Sequence, residues 1–164
     1  MLQGDVDFAN PIYLVQPSVV RSPKNETTLI SFFRDRKRRN IYRSTSADDG
    51  KTWDEAVALS LLNNNSGISA YVLLSGRIAL VYNPTNKVRN PLSISLSEDD
   101  GVTWPYTRNL EFMQQGNSTD FEFSYPSIIQ SPDGVIHVSY TYLRETIKYV
   151  QLKEDWIMEG SNMN

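Results

Sequence analysis

Two stretches of eight residues, 46–53 and 97–104, decide the fold of this 164-residue chain. They read Ser46-Ala47-Asp48-Asp49-Gly50-Lys51-Thr52-Trp53 and Ser97-Glu98-Asp99-Asp100-Gly101-Val102-Thr103-Trp104. Only the second and sixth positions differ between them. Serine and aspartate oxygens bond the backbone donors of a tight turn, glycine supplies a positive φ, and tryptophan packs its ring under the adjoining hairpin. Both stretches are therefore predicted to be structural turns, with Trp53 and Trp104 as anchors.

The sequence around these turns repeats. Three segments share one shape and are predicted to be strands: Gln16-Pro17-Ser18-Val19-Val20, Ile68-Ser69-Ala70-Tyr71-Val72 and Tyr125-Pro126-Ser127-Ile128-Ile129. Each is followed by a turn and a second strand, such as 78–82 or 135–140. In the first two copies a third strand, 40–44 or 92–96, runs into one of the eight-residue turns. The repeat is thus three strands and a turn.

This pattern predicts an all-β fold, because short alternating runs are separated by turn residues and no segment resembles a helix of three turns. A repeat of about 50 residues with four-strand potential is typical of a β-propeller blade, which buries both sheet faces only when neighbouring blades stack on it. We expect one domain over residues 1–164, a partial β-propeller of four-stranded antiparallel blades. The expected blade units are residues 13–56, 57–107 and 108–157.

Composition narrows the function classes. Hydrophobic residues make up 40% and charged residues 21% of the chain, which is typical of a globular protein rather than a disordered one. No apolar run approaches the roughly 20 residues that span a bilayer, so no membrane span is expected. The formal charge of −3 argues against nucleic acid as the main partner.

Metal and cofactor chemistry is not expected either. The chain has no cysteine, which excludes disulfides and thiolate ligands and leaves the compartment open. His137 is its only histidine, lies in the middle of a predicted strand, and is expected to be structural.

With these turns, the chain resembles the sialidase (neuraminidase) superfamily, in which Ser-x-Asp-x-Gly-x-Thr-Trp turns, called Asp boxes, recur around a six-bladed propeller. The surrounding motifs are similar to the bacterial-type predicted neuraminidase branch: Gln16-Pro17-Ser18, Asn65-Ser66-Gly67-Ile68, Arg89-Asn90-Pro91-Leu92 and Phe123-Ser124-Tyr125-Pro126-Ser127. The likeness extends over residues 13–156 and covers only the C-terminal part of the family's domain, about two and a half of six blades.

The resemblance implies a set of site residues. Sialidases hold the carboxylate of the sugar with three arginines, because a guanidinium offers paired donors and keeps its charge. Arg34 and Arg89 match the second and third of these, with Arg36 as the alternative to Arg34. Tyr125 matches the family nucleophile. Asn65 begins a strand equivalent to those led by Gln16 and Tyr125, and is expected to contact the sugar.

One departure concerns the base that activates the nucleophile. A phenol has an ordinary pKa of about 10, so it needs a proton acceptor. The family glutamate is matched here by Gln16, which cannot accept a proton. Glu122 is the alternative, but residues three apart on a regular strand point to opposite faces, so Glu122 requires a bend before Tyr125. The family's acid/base and first arginine have no match in the chain.

The function implied by the resemblance is that of an exo-α-sialidase-type glycoside hydrolase acting on sialic acid or another acidic sugar. The isolated chain is expected to be inactive and to self-associate through its open blade edges. A non-catalytic carbohydrate-binding propeller and an inactive truncated product are the alternatives. Lys37, Arg38 and Arg39 are expected only to keep a hairpin soluble.

Overall fold

The computed structural model describes residues 13–114 and 121–161. The strands in these ranges are β1 (Leu14–Arg21), β2 (Leu29–Asp35), β3 (Asn40–Ser46), β4 (Val57–Leu62), β5 (Ser69–Val72), β6 (Ile78–Tyr82), β7 (Leu92–Ser97), β8 (Tyr106–Glu111), β9 (Phe123–Gln130), β10 (Ile136–Tyr142) and β11 (Thr146–Leu152). A short helix, α1 (Glu154–Ser161), follows them and packs against β8.

The strands form three antiparallel sheets, in the orders β1-β2-β3-β4, β5-β6-β7-β8 and β9-β10-β11. The predicted partial β-propeller of antiparallel blades is therefore confirmed. The inner strands β1, β5 and β9 lie side by side, with β5 in the middle. Strands β4 and β8 follow the Asp boxes and belong to the sheets before them, so these sheets extend past the unit limits expected at residues 56 and 107.

Two hydrophobic cores fill the spaces between the sheets. Strand β6 shows why they form there, because successive side chains of a strand point to opposite faces. Ile78, Leu80 and Tyr82 enter the core shared with the first sheet, beside Ile30 and Phe32. Ala79 and Val81 enter the core shared with the third sheet, which also contains Phe123, Ile136 and Val138. Every residue of β6 and β7 is buried, since the second sheet is covered on both faces.

The two Asp boxes share a set of hydrogen bonds. In the second, Ser97 Oγ donates to Asp99 Oδ1 at 2.8 Å and accepts from the Gly101 amide at 2.9 Å. The amide and hydroxyl of Thr103 donate to the two carboxylate oxygens of Asp99 at 2.8 and 2.6 Å. Ser46, Asp48, Gly50 and Thr52 repeat these contacts in the first box.

Each Asp box gathers donors around one ionised carboxylate. Hydrogen bonds from Thr52 and Ser46 lower the pKa of Asp48 to about 2. Burial acts to raise the pKa of Asp99, but the bonds from Thr103 and Ser97 outweigh it, and that pKa is also about 2. The carboxylates therefore act in the fold as hydrogen-bond acceptors.

The second Asp box also joins two sheets. The Trp104 ring packs edge-on against Phe32 of the first sheet, with 5.6 Å between ring centroids. Arg43 Nε donates to the Asp100 carbonyl at 2.8 Å, and Ser22 Oγ to the Asp100 carboxylate at 3.1 Å. A Cβ at Gly101 would lie 2.7 Å from Phe32 Cε1, so only glycine lets the turn approach this closely.

We expect Gly101→Ala to destabilise the protein more than Gly134→Ala. Both glycines have positive φ, 80° and 81°, so each alanine costs about 1–2 kcal/mol of backbone strain. A Cβ at Gly134 meets nothing within 4 Å, whereas at Gly101 it collides with Phe32 and adds about 1–3 kcal/mol. Urea unfolding of the two variants measures the difference. Equal losses would show that the contact between sheets does not depend on Gly101.

Acid should weaken the Asp boxes. The folded pKa of Asp99, about 2, lies below its ordinary 3.8, so the unfolded chain binds more protons at low pH. The carboxylate therefore stabilises the fold fully above about pH 4 and loses this contribution as the pH falls towards about 2. We expect Asp99→Asn to be less stable at pH 7 and to lose less stability over that interval. Urea unfolding at several pH values tests this, and parallel curves for the variant and wild type would contradict it.

Candidate functional site

A polar cavity of about 560 Å³ opens at the end of the sheets opposite the Asp boxes. Its walls come from the connections β2–β3, β6–β7 and β10–β11, from the loop before β5 and from the residues before β9. The lining residues are Arg38, Asn64, Asn65, Lys87, Val88, Arg89, Phe121, Glu122, Leu143 and Arg144. Since antiparallel strands turn alternately at opposite ends of a sheet, equivalent connections of the three sheets meet here.

The three strand entries share one backbone conformation. Gln16, Asn65 and Tyr125 have φ values of 51°, 68° and 52°, a region that residues other than glycine seldom adopt. In β1 and β9 this conformation coincides with a β-bulge. Gln16 and Pro17 interrupt the pairing of β1 with β2, and Tyr125 and Pro126 interrupt the pairing of β9 with β10. The backbone is thus bent at Tyr125, as a role for Glu122 requires. Bulges and positive φ values at such residues commonly aim side chains into sites.

The loop before β5 is held by its own side chains. Asn63 Oδ1 accepts from the Asn65 amide at 2.9 Å, and Asn64 Oδ1 accepts from the Ser66 hydroxyl at 2.5 Å. Arg34 donates from a terminal guanidinium nitrogen to the Asn65 carbonyl at 2.7 Å. Arg34 Nε and Asn65 Oδ1 are buried without a hydrogen-bond partner in the described ranges. Arg34 therefore lies behind Asn65, which lines the cavity.

Arg89 lines the cavity, and Tyr125 lies against Arg89. The Arg89 guanidinium is 5.0 Å from the centroid of the Tyr125 ring, a separation suited to cation–π attraction. The ring also packs on Gly67, where an added Cβ would lie 3.2 Å from Tyr125 Cδ1. Tyr125 remains 53% exposed. Its ring is therefore positioned on one side and open to a ligand on the other.

Glu122 binds two arginines. Its Oε1 pairs with Arg89 at 2.5 Å and its Oε2 with Arg144 Nε at 2.5 Å. Ser124 Oγ also donates to Oε1, at 2.7 Å. Burial acts to raise the pKa of Glu122, but Ser124 and both arginines outweigh it, so the pKa is lowered. Burial likewise acts to lower the pKa of Arg89, but contacts with Tyr125 and Glu122 raise it. Glu122 is therefore an ionised anchor for both guanidinium groups.

Not every residue expected at the site lies beside the cavity. The described lining residues do not include Arg34, Tyr125, Arg36 or Gln16, and the last three of these are exposed. Tyr125 adjoins the cavity through its contact with Arg89. The Gln16 side chain makes no hydrogen bond within the described ranges. Arg39, expected to be a surface residue, pairs with the buried Asp35 at 2.6 Å. Arg38, also expected only on the surface, lines the cavity.

Sequence reasoning also missed Lys87 and Arg144 as cavity residues. A signal for them exists, because the second connection of each of the three sheets carries a basic residue that lines the cavity: Arg38, Lys87 or Arg144. Comparing the second turns of the three repeats would have revealed it.

His137 belongs to a separate network between β10, β11 and the β9–β10 turn. Its Nδ1 lies 2.6 Å from the Tyr149 hydroxyl and its Nε2 lies 2.8 Å from Ser131 Oγ. Among residues 13–114 and 121–161, no group of three or more His, Cys, Asp or Glu side chains is arranged to hold a metal ion. No helix in those ranges has the length and apolar content to cross a membrane.

A family described as BNR repeat-like domain matches residues 6–138. The chain therefore belongs to this family, and its fold is the propeller fold of sialidases. No protein with a curated description matches it significantly.

Solved sialidase structures share the fold. The NanB sialidase of Streptococcus pneumoniae is 17% identical, with a TM-score of 0.70 over 86% of this chain and 23% of its own. The Hadza microbial sialidase Hz136 is 21% identical, with a TM-score of 0.70 over 90% and 29%. The intramolecular trans-sialidase of Ruminococcus gnavus is 20% identical, with a TM-score of 0.67 over 87% and 33%. The chain thus spans a quarter to a third of these structures.

We expect Glu122→Gln to destabilise the protein by roughly 1–3 kcal/mol, because the neutral amide leaves two guanidinium groups without their partner. Glu145→Gln is the matched control, since Glu145 is an exposed acid in the same β10–β11 hairpin. Thermal unfolding of the two variants measures the contrast. A Glu122→Gln protein as stable as the Glu145→Gln control would show that the two ion pairs do not contribute.

Proposed function

We propose that this chain carries part of the sugar site of a sialidase-like glycoside hydrolase, of the type that removes a terminal acidic sugar from a glycan. Arg89 binds the carboxylate of the sugar, and Tyr125 stands at its anomeric carbon. Arg34, matched to a second carboxylate-binding arginine, instead supports the Asn65 backbone from behind. Asn65 and Gln16 add polar contacts at the strand entries. The substrate class is a glycan ending in sialic acid or a related acidic sugar.

The contact between Arg89 and Tyr125 carries this proposal. In sialic acid the carboxylate is attached to the anomeric carbon itself, so the cation that binds it and the nucleophile must be neighbours. The 5.0 Å between the Arg89 guanidinium and the Tyr125 ring meets that requirement. Glu122 fixes Arg89 from the other side, which reduces the cost of ordering the guanidinium when a ligand binds.

The ligands of two similar structures support an anion site. NanB was solved with a chlorobenzylammonio ethanesulfonate, and the trans-sialidase of Ruminococcus gnavus with oseltamivir carboxylate. Both ligands carry an anionic group. Arginine suits such groups because its planar fork forms paired charged hydrogen bonds.

The chemistry would proceed through the Tyr125 oxygen. The phenol would give its proton to a base and attack the anomeric carbon, while an acid protonates the aglycone oxygen as the glycosidic bond breaks. Water would then attack the same carbon, which breaks the tyrosyl–sugar bond, gives the sugar its hydroxyl group and returns a proton to the Tyr125 oxygen. Glu122 is the acidic side chain among the described residues lining the cavity. As a proton acceptor it is weakened by its two arginines, so its contribution to catalysis comes mainly through the position of Arg89.

A second candidate function is carbohydrate binding without catalysis. The observation that favours it is the commitment of Glu122 to two ion pairs, together with an amide at Gln16. In that case the cavity binds the acidic sugar and no bond is cleaved.

Binding and hydrolysis separate the two functions. We expect Arg89→Gln to weaken binding of N-acetylneuraminate by about tenfold or more, because a charged hydrogen bond is lost. Tyr125→Phe should change binding by less. Lys51→Gln is the control for net charge, since Lys51 is exposed in the first Asp box, at the far end of the sheets. Titration calorimetry measures all three, and equal binding by Arg89→Gln and Lys51→Gln would refute the site.

We expect the chain by itself to release no detectable aglycone from a fluorogenic sialoside, because Glu122, the described acid lining the cavity, is ionised and cannot protonate the leaving oxygen. The assay measures release of the fluorescent aglycone by the wild-type chain and by the Tyr125→Phe variant. Turnover that disappears in Tyr125→Phe would show that the chain is catalytically complete. Binding without turnover would favour the non-catalytic function.

A further inference from the structure

The cavity holds more positive charge than one carboxylate ligand requires. Arg38, Lys87 and Arg144 line it in addition to Arg89, and Glu122 is the one acid among its described lining residues. The whole chain has a formal charge of −3, so this concentration of cations is local. A concave surface lined by one sign of charge attracts ligands of the opposite sign.

The three additional cations come from equivalent places in the fold. Arg38 lies in the β2–β3 turn, Lys87 in the β6–β7 loop and Arg144 in the β10–β11 turn. Each blade therefore contributes one of these three cations to the cavity from its second connection, and the second blade adds Arg89 from the same loop.

The backbone of the β10–β11 turn holds Arg144 over the cavity. Leu143 and Arg144 have φ values of 55° and 59°, although neither is glycine or asparagine. The Leu143 amide donates to the Glu122 carbonyl at 2.8 Å, and the Glu145 amide closes the turn on Tyr142 at 3.0 Å. Strained residues of this kind persist where the surroundings hold them, often at ligand clamps.

These cations keep donors available for a ligand. The Arg144 side chain is 75% exposed, and Glu122 engages its Nε, which leaves the terminal nitrogens of the fork open. Lys87 is exposed, and neither Lys87 nor Arg38 has an ion-pair partner in residues 13–114 and 121–161.

We propose that Lys87, Arg144 and Arg38 form a second anion subsite beside Arg89, so that the cavity takes a glycan with two negatively charged groups. The first group is the carboxylate at Arg89, and this part rests on the proposed function. The second is a sulfate, a phosphate ester or another carboxylate on the same or the adjoining sugar. A volume of about 560 Å³ accommodates a ligand of that size.

Titration calorimetry at low and moderate salt tests the subsite. The probes are N-acetylneuraminate, its 8-sulfate, its 9-phosphate and α2,8-linked disialic acid, which distinguish the three sources of the second charge. We expect at least one doubly charged probe to bind about tenfold more tightly than N-acetylneuraminate, with a steeper loss of affinity in salt. Lys87→Gln and Arg144→Gln should remove most of that gain, and Lys51→Gln should retain it. The proposal is wrong if no second charge adds affinity, or if the gain survives both cavity variants.

A second titration tests the anion subsite independently of the proposed function. If N-acetylneuraminate does not bind, the proposed function fails, and titration with inorganic pyrophosphate and phosphate decides the subsite alone. Tighter binding of pyrophosphate than of phosphate, weakened in Lys87→Gln, supports the subsite, and no such difference overturns it. Because Lys87 has no described side-chain partner, Lys87→Gln tests the charge without loss of an ion pair. Arg144→Lys, which keeps the charge, should retain more of the gain than Arg144→Gln.

Discussion

The burial of both faces of the second sheet is the constraint on which the rest of the structure depends. A strand with apolar residues on both faces, such as Ile78–Tyr82, is stable only when another sheet covers each face. The first and third sheets provide these covers, and each interface forms its own core. The second Asp box stabilises the interface between the first and second sheets, where Gly101 and Trp104 pack on Phe32. The hydrogen bonds within this turn thus hold residues that pack against a different sheet.

The same stacking creates the candidate site. Because the blades are antiparallel meanders stacked side by side, all their second connections reach one end and the Asp boxes the other. At the Asp-box end, Asp48 and Asp99 accept the structural hydrogen bonds of the turns. The opposite end is made of loops, and those loops place arginines and a lysine around a cavity.

Glu122 shows how this end balances stability against chemistry. A carboxylate between two guanidinium groups holds both in place, but its lowered pKa makes it a weaker proton acceptor. The site is consequently better prepared to bind an anion than to move a proton. The sialidase fold does not by itself decide between hydrolysis and binding, since one fold carries different functions on different site residues.

The sequence by itself determined the features whose causes lie within a few neighbouring residues. The Asp boxes follow from the hydrogen-bonding capacity of eight consecutive residues. The three equivalent strand entries follow from a repeated sequence pattern, and the structure gives Gln16, Asn65 and Tyr125 at these entries the same positive φ. Only the tertiary structure decided which charged residues face the cavity. Glu122 meets Arg89 and Arg144 across sequence separations that no local pattern encodes, and Arg38 looks like a solvated surface residue until the neighbouring blade is in place. The physical reason is that hydrogen bonds in a turn act between chain neighbours, whereas the charges of a cavity meet only after distant sheets have stacked.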